Sequence, residues 1–367
     1  MKLKYIFLSL IVLFSNKALS QNCNEGSLLQ KPGVWKDGAK GSTDGISATD
    51  LAAERKVVTA IHAMIKLKYV PKGVEANFGG AYDRPMPEVP VNAYRYDIFP
   101  LNFYCEGGLL KTVHETSTYF SISVNLFDVE IYENSSDESL LGFHTMDDIP
   151  IVKDGYYYFN EKDDGLGMGV AGKSSMRLIT YDGKLPFAYV SKKEFLQKRR
   201  QVLGVQMAYS ASDSKDILNN LEIEKKYKET EYKNDPDTFQ KYIKMDYQPR
   251  KDRYQKLLTE NEKSYTPAFE KIETLLKMPA TELSQPAIVK MDPHDNGLSY
   301  LFTDDSDTFG KVLIKPNPAY FKKLPKSSPQ FFWVYIRGNP KDPIAAKAMI
   351  DIMNAVDFTV LKNMLGK

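Results

Sequence analysis

Phe120-Ser121-Ile122-Ser123-Val124-Asn125-Leu126 alternates apolar and small polar residues with a period of two. Successive side chains of a strand point to opposite faces, so Phe120, Ile122, Val124 and Leu126 share one apolar face. Such a strand belongs to a sheet that buries one side. Similar signals recur at Val91–Tyr96, Leu101–Cys105, Leu109–Val113, Tyr156–Phe159 and Met176–Tyr181. Gly107-Gly108 separates two of these. Asp182-Gly183 stands between Ile179–Tyr181 and Phe187–Val190. Both pairs suit the tight hairpin turns that need positive φ at both central residues.

Upstream, Ser47 to Asp50 supplies cap residues for a helix running to about Lys68. Its inward stripe is expected at Leu51, Val57 or Val58, Ile61 and Ile65, the spacing of one helical face. Pro71 and Gly79-Gly80 close it. One helix followed by a meander predicts an α+β fold, a helix packed on a curved antiparallel sheet. Cystatin-like and nuclear-transport-factor-like units share that architecture, which carries no function by itself.

Ser191-Lys192-Lys193-Glu194 is a capping box opening a region rich in Lys, Glu, Asp, Gln and Tyr. Sparse apolar residues at helical spacing predict a charged long-helix hairpin. Asp235-Pro236 and Thr266-Pro267 each read as a cap followed by a first helical residue, and Pro249 as a break. Basic and acidic residues interleave there, as on solvated helix faces. Strands are expected again at Ala287–Met291, Leu298–Phe302, Lys311–Lys315 and Phe331–Ile336. Helices follow at Pro343–Met353 and Phe358–Leu365.

The first twenty residues read as an export signal. Lys2 and Lys4 precede an apolar run from Tyr5 to Phe14, and Ala18-Leu19-Ser20 offers a cleavage site before Gln21. The run is too short to span a bilayer, which takes about twenty residues. The divisions are therefore 1–20, signal peptide; 21–48, irregular segment; 49–190, sheet domain; 191–282, helical hairpin; and 283–367, C-terminal α+β segment. The last set of strands either forms its own unit or completes the first sheet.

Of 367 residues, 49 are Lys or Arg and 47 Asp or Glu. Losing Lys2, Lys4 and Lys17 with the signal moves the formal charge from +2 to −1. A near-neutral chain has no global attraction to nucleic acid, and no integral membrane segment is expected after signal cleavage. The only two cysteines, Cys23 and Cys105, are expected to form a disulfide in an oxidising compartment. It would tie the mature N-terminus to the sheet.

Gly167-Met168-Gly169-Val170-Ala171-Gly172-Lys173-Ser174 matches the phosphate-binding loop pattern. That loop needs a buried strand before it and a helix after it, so that helix amides face the phosphates. Here Asn160 to Gly165 is polar, and Met176 to Tyr181 reads as a strand, so a glycine-rich loop between strands is expected. His114-Glu115 lacks the second histidine of a zinc-protease helix. His144 with Asp147 and Asp148, and Asp292-Pro293-His294-Asp295, read as turns before metal sites. Asp304-Asp305-Ser306-Asp307 lacks EF-hand spacing. Tyr156 to Phe159 could stack a sugar, although alternating tyrosines more often pack across strands. Asn134-Ser135-Ser136 is a local glycosylation sequon. No catalytic, cofactor-binding or metal residue is assigned, and no cofactor is expected.

Ile179-Thr180-Tyr181-Asp182-Gly183-Lys184-Leu185-Pro186-Phe187, followed by Val190 to Leu196, resembles a segment of exported proteins of Bacteroidetes-type bacteria. Lys315-Pro316-Asn317-Pro318-Ala319-Tyr320-Phe321, with Leu324-Pro325 and Pro329-Gln330-Phe331, resembles a C-terminal segment of similar proteins. Those proteins have no assigned function. The resemblance implies a Gram-negative periplasmic or extracellular setting and transfers no activity. The sequence thus predicts an exported, non-enzymatic binding or scaffolding protein, meeting a protein partner through the hairpin or the sheet face. The alternative is a periplasmic hydrolase of peptide or glycan acting through carboxylates.

Overall fold

The computed structural model describes residues 23–38, 41, 43, 45–82, 89–126, 130–131, 142–146, 148–165, 171–181, 183–290, 302–303 and 310–367. In chain order, α1 spans Glu25–Leu28, β1 Val34–Asp37, α2 Ala48–Lys68, β2 Val74–Tyr82, β3 Tyr94–Glu106, β4 Leu109–Thr112 and β5 Tyr119–Val124. Next come β6 (Glu130–Ile131), β7 (His144–Met146), β8 (Ile151–Lys153), β9 (Tyr156–Tyr158), β10 (Lys162–Gly165), β11 (Ala171–Ile179) and β12 (Phe187–Tyr189). Helices α3 (Lys192–Glu231), α4 (Pro236–Tyr242), α5 (Gln248–Leu275) and α6 (Ala280–Leu283) follow. The chain closes with β13 (Ile288–Lys290), β14 (Gly310–Pro316), β15 (Phe332–Gly338), α7 (Pro343–Ala355) and α8 (Phe358–Met364).

These elements form two compact units. The first comprises Met1–Asp128, Pro150–Pro186 and Pro316–Lys367; the second comprises Val129–Ile149 and Phe187–Lys315. The fold is α+β, as the patterning predicts, but the chain crosses between units more often than a linear division allows.

In the first unit a ten-stranded sheet runs β1-β2-β3-β5-β15-β11-β9-β8, with β4 beside β3 and β10 beside β11. Among the described residues, only β1 and β2 pair in parallel. The predicted strand core is β5, whose Phe120, Ile122 and Val124 are fully buried. They meet Val58, Ile61 and Ile65 of α2, Tyr94, Tyr96 and Ile98 of β3, and Phe332, Val334 and Ile336 of β15. Each such side chain contributes roughly 1.5–3 kcal/mol by leaving water. Glu54 takes the place on the inward stripe where apolar residues were expected, while Leu51 is only half-buried. Its carboxylate accepts from Asn92 Nδ2 at 2.7 Å, and burial raises its pKa.

Several expectations are corrected. Val91–Tyr96 and Leu101–Cys105 belong to a single strand, β3, that passes through Pro100. Phe103 N–H donates to Gly73 O on the β2 side, so alternate residues such as Pro100 face the other way. There, β5 pairing ends at Ile98 and β4 pairing starts at Phe103, so the missing N–H leaves no ladder bond unmade. Strand β2 occupies a stretch whose Gly79-Gly80 reads as a helix stop. Gly107-Gly108 does turn β3 into β4, with φ of +60° and +76°. Gly183, by contrast, joins no hairpin: β11 lies in the first sheet, and β12 pairs with β14 in the second. Of the C-terminal strands, β15 completes the first sheet between β5 and β11, whereas β13 and β14 do not join it.

The second unit holds a five-stranded sheet, β12-β14-β7-β6 with β13 beside β14. Phe195, Leu196, Val202 and Leu203 of α3 pack with Val190, Leu313, Ala268 and Ile272. Ser191 caps α3 by accepting from Glu194 N–H at 3.1 Å, while the Glu194 carboxylate pairs with Lys315. Helix α3 is 40 residues long, about 60 Å at 1.5 Å per residue. α5 runs back along it: Asn261 Nδ2 donates to Met207 O, and Lys251 pairs with Glu222. Asp235 caps α4 as expected. Pro267, however, lies inside α5, and Pro249 is its second residue, on helical backbone that runs on from the preceding turn. The irregularity falls just before it, in a π-helical turn over Ile243–Tyr247.

Cys23 and Cys105 form the expected disulfide, and Cys23 N–H donates to Gly108 O at 3.1 Å. The bridge closes a sequence separation of 82 residues. Cys105→Ser should lower unfolding free energy by about 4 kcal/mol under the chain-entropy account. Urea denaturation checks this, and an unchanged midpoint would show that the bridge constrains nothing in the unfolded chain.

Candidate functional site

The strand period that buries one sheet face dictates what lies on the other. Opposite the α2 core, the register places Gly79 beside Asp97, Asp97 beside Ser121, and Ser121 beside Tyr335. A neighbouring row runs Ala81, Arg95, Ser123 and Trp333. Asn77 pairs with Phe99, whose ring stacks on Tyr119 at 5.2 Å between centroids and 28° between planes.

This face holds an open cleft of about 580 Å³. Its floor is the small-residue end of β2, Gly79 to Ala81, beside Arg95, Asp97 and Phe99 of β3. Gly38 and Gly41 form one wall, and His114, Glu115 and Thr116 form the rim between β4 and β5. Gly38 N–H donates to Phe78 O and Gly41 N–H to Gly80 O, so this wall continues the line of β1 along β2. A Cβ at Gly41 would stand 2.9 Å from the Ala81 Cα, an approach open only to glycine.

Asp97 is the buried hub of the cleft. It accepts from Arg95 Nε at 3.1 Å and from Tyr119 OH at 3.3 Å. Burial pushes its pKa up, opposed by Arg95 and by hydrogen bonds from Ser121 and Tyr119. The carboxylate therefore orients Arg95, whose side chain is 40% exposed, and leaves little capacity for chemistry of its own. Phe99 is 41% exposed, a large fraction for an aromatic side chain already stacked on its inner side. The Asn77 Oδ1 is shielded from solvent and takes no hydrogen bond among the described residues.

Of the residues weighed from sequence, His114 and Glu115 reach this cleft. His144 lies in β7 of the second unit and is buried, and Asp148 follows that strand. Asp147, Asp292–Asp295, Asp304–Asp307 and Asn134–Ser136 fall outside the described residues. Among the described residues no cluster of three or more His, Cys, Asp or Glu side chains is placed to hold a metal. Within the phosphate-loop match, Ala171 to Ser174 open strand β11, pairing with β10, and Lys173 is bonded to Glu161. No helix follows to present amides to a phosphate. The tyrosine run packs across the sheet: Tyr157 OH donates to Gly183 O, and Phe159 lies 5.2 Å from Trp333. Tyr158 stands under Arg177.

A smaller hollow of about 290 Å³ lies beside the C-terminal ends of α2 and α7. Two of its lysines already serve the fold: Lys68 pairs with Asp357 and Lys347 with Asp351. The sheet-face cleft is the stronger site.

Arg95, Asp97, Phe99 and Asn77 were not singled out by sequence motifs. Their signal is alternation: Tyr94, Tyr96 and Ile98 go inward, so Arg95, Asp97 and Phe99 must share the opposite face. No family model matches the chain, and no curated protein or solved structure is significantly similar to it.

Asp97 titrates above its unfolded value, so its ionised form is a cost to the folded state at neutral pH. That cost is relieved as pH falls through the folded pKa toward about 4. Wild type should therefore gain stability relative to Asp97→Asn as pH is lowered from neutral. Thermal unfolding of both proteins across that range reads the effect, and a constant or shrinking advantage would contradict it.

Proposed function

We propose that this chain is an exported binding protein whose ligand sits in the sheet-face cleft of the first unit. The observation that carries this reading is the cleft itself. An exposed, backed aromatic ring and an anchored guanidinium converge above a floor kept low by Gly79 and Ala81. Preformed concavities with a few fixed polar groups are where ligands bind. The chemistry favours holding over cleaving, because Asp97 is committed to Arg95, Tyr119 and Ser121. The disulfide and the signal-like first twenty residues support export. No helix among the described residues is long and apolar enough to cross a membrane.

A scaffolding role draws support from a second observation. Val205, Tyr209, Ile223 and Tyr227 are 54–82% exposed on α3. Their spacing puts them on one stripe, away from buried Leu203, Ala211 and Leu221. Large apolar side chains aligned on a charged helix suit a protein partner.

Native mass spectrometry after incubation with a cell-envelope extract tests the ligand reading. Wild type should carry a bound species that is lost when the floor is filled by Gly79→Leu. A species retained by that variant, or none in either protein, would remove the cleft from the account. Conversion of the species to smaller products would put the hydrolase reading first.

A further inference from the structure

The lining of the cleft restricts what can bind in it. Its charged groups are Arg95, Asp97 and Glu115, with His114 at the rim, so it holds no excess of positive charge to attract an anion. The backbone has little to offer an extended peptide. On one side β2 is bonded to β3, and on the other β1 and its continuation bond to it as far as Gly80. Addition of a peptide strand needs a free sheet edge, and this part of β2 has none. Recognition must come from side chains.

Those side chains are one aromatic plate and planar polar groups around it. Phe99 exposes a face to the cleft and is backed by Tyr119. The Arg95 guanidinium is held by Asp97, and its fork of donors spans adjacent oxygen atoms. The half-buried Asn77 side chain lies directly across from Phe99, and its amide carries both donor and acceptor at that edge of the cleft. We propose that the cleft binds the ring of a neutral saccharide, an inference that rests on the binding reading above. The C–H face of a pyranose covers Phe99, vicinal hydroxyls receive hydrogen bonds from Arg95, and a further hydroxyl meets the Asn77 amide. A flat aromatic surface edged by fixed donors and acceptors matches a polyol ring, which is apolar on its faces and polar around its rim.

Isothermal titration of the whole chain with cellotetraose, maltotetraose, mannotetraose and tetra-N-acetylchitotetraose tests the assignment. Saturable binding of at least one sugar is expected. Phe99→Ala and Arg95→Met should each weaken it by about tenfold or more, whereas Phe99→Trp should retain it. Thermal unfolding confirms that each variant is folded, and a variant that fails this is replaced by Gly79→Leu as the cleft-blocking control. Absence of saturable binding across the panel, or binding indifferent to these changes, overturns the saccharide assignment. If an extract-derived ligand is then still lost in Gly79→Leu, the binding reading stands and only the ligand class falls; if no ligand depends on the cleft, both fall.

Discussion

One buried amide holds the architecture of the first unit together. Asn125 adopts a φ of +56°, a conformation that asparagine tolerates better than most residues. Its Nδ2 donates to Asn92 O at 3.1 Å and Ser328 O at 3.0 Å, while Oδ1 accepts from Gln330 N at 2.7 Å and Phe331 N at 3.3 Å. All four bonding positions of the side chain are thus used. Asn92 passes the linkage to buried Glu54, and Tyr94 OH donates to Ser327 O. This network fastens a late segment of chain to the end of β5 and to α2. Strand β15 begins immediately after it, paired to β5 on one side and β11 on the other. Leaving any of these buried groups unpaired costs about 1–3 kcal/mol, so the network specifies where the returning chain must enter.

The placement of β15 has consequences for both faces of the sheet. Phe332, Val334 and Ile336 complete the core under α2, and Trp333, Tyr335 and Arg337 extend the opposite face beside β5. Tyr335 lies 5.8 Å from Tyr119, which in turn backs Phe99. The aromatic surface of the cleft is therefore supported from a strand more than two hundred residues away in sequence. A rigid sheet of this kind keeps polar side chains in fixed positions without spending ligand-binding free energy on ordering them.

Local chemistry was legible in the sequence where a single stretch decides the outcome. The alternation around Phe120, the caps Ser47, Ser191 and Asp235, and the Gly107-Gly108 turn all act within a few residues and appear in the structure. The failures share a cause. Glycines of β2 are tolerated because neighbouring strands supply its hydrogen bonds, and Pro100 because it faces a gap between two partners. Pro267 continues a helix held by contacts with α3, including Tyr265 OH with Ser210 Oγ. Each depends on residues far along the chain. The cleft was legible in part: alternation gives the face of Arg95, Asp97 and Phe99, and His114-Glu115 stood out, but no local pattern brings the rim to the strands.

The C-terminal strand β15 is an interior member of the sheet whose second face carries the cleft, a placement that amide hydrogen exchange reads out residue by residue. Residues Phe332–Gly338 should exchange only with global unfolding, at the same opening free energy as Tyr119–Val124 of β5. Exchange of β15 at a distinctly lower free energy, with β5 still protected, would show a separable C-terminal segment and contradict the account.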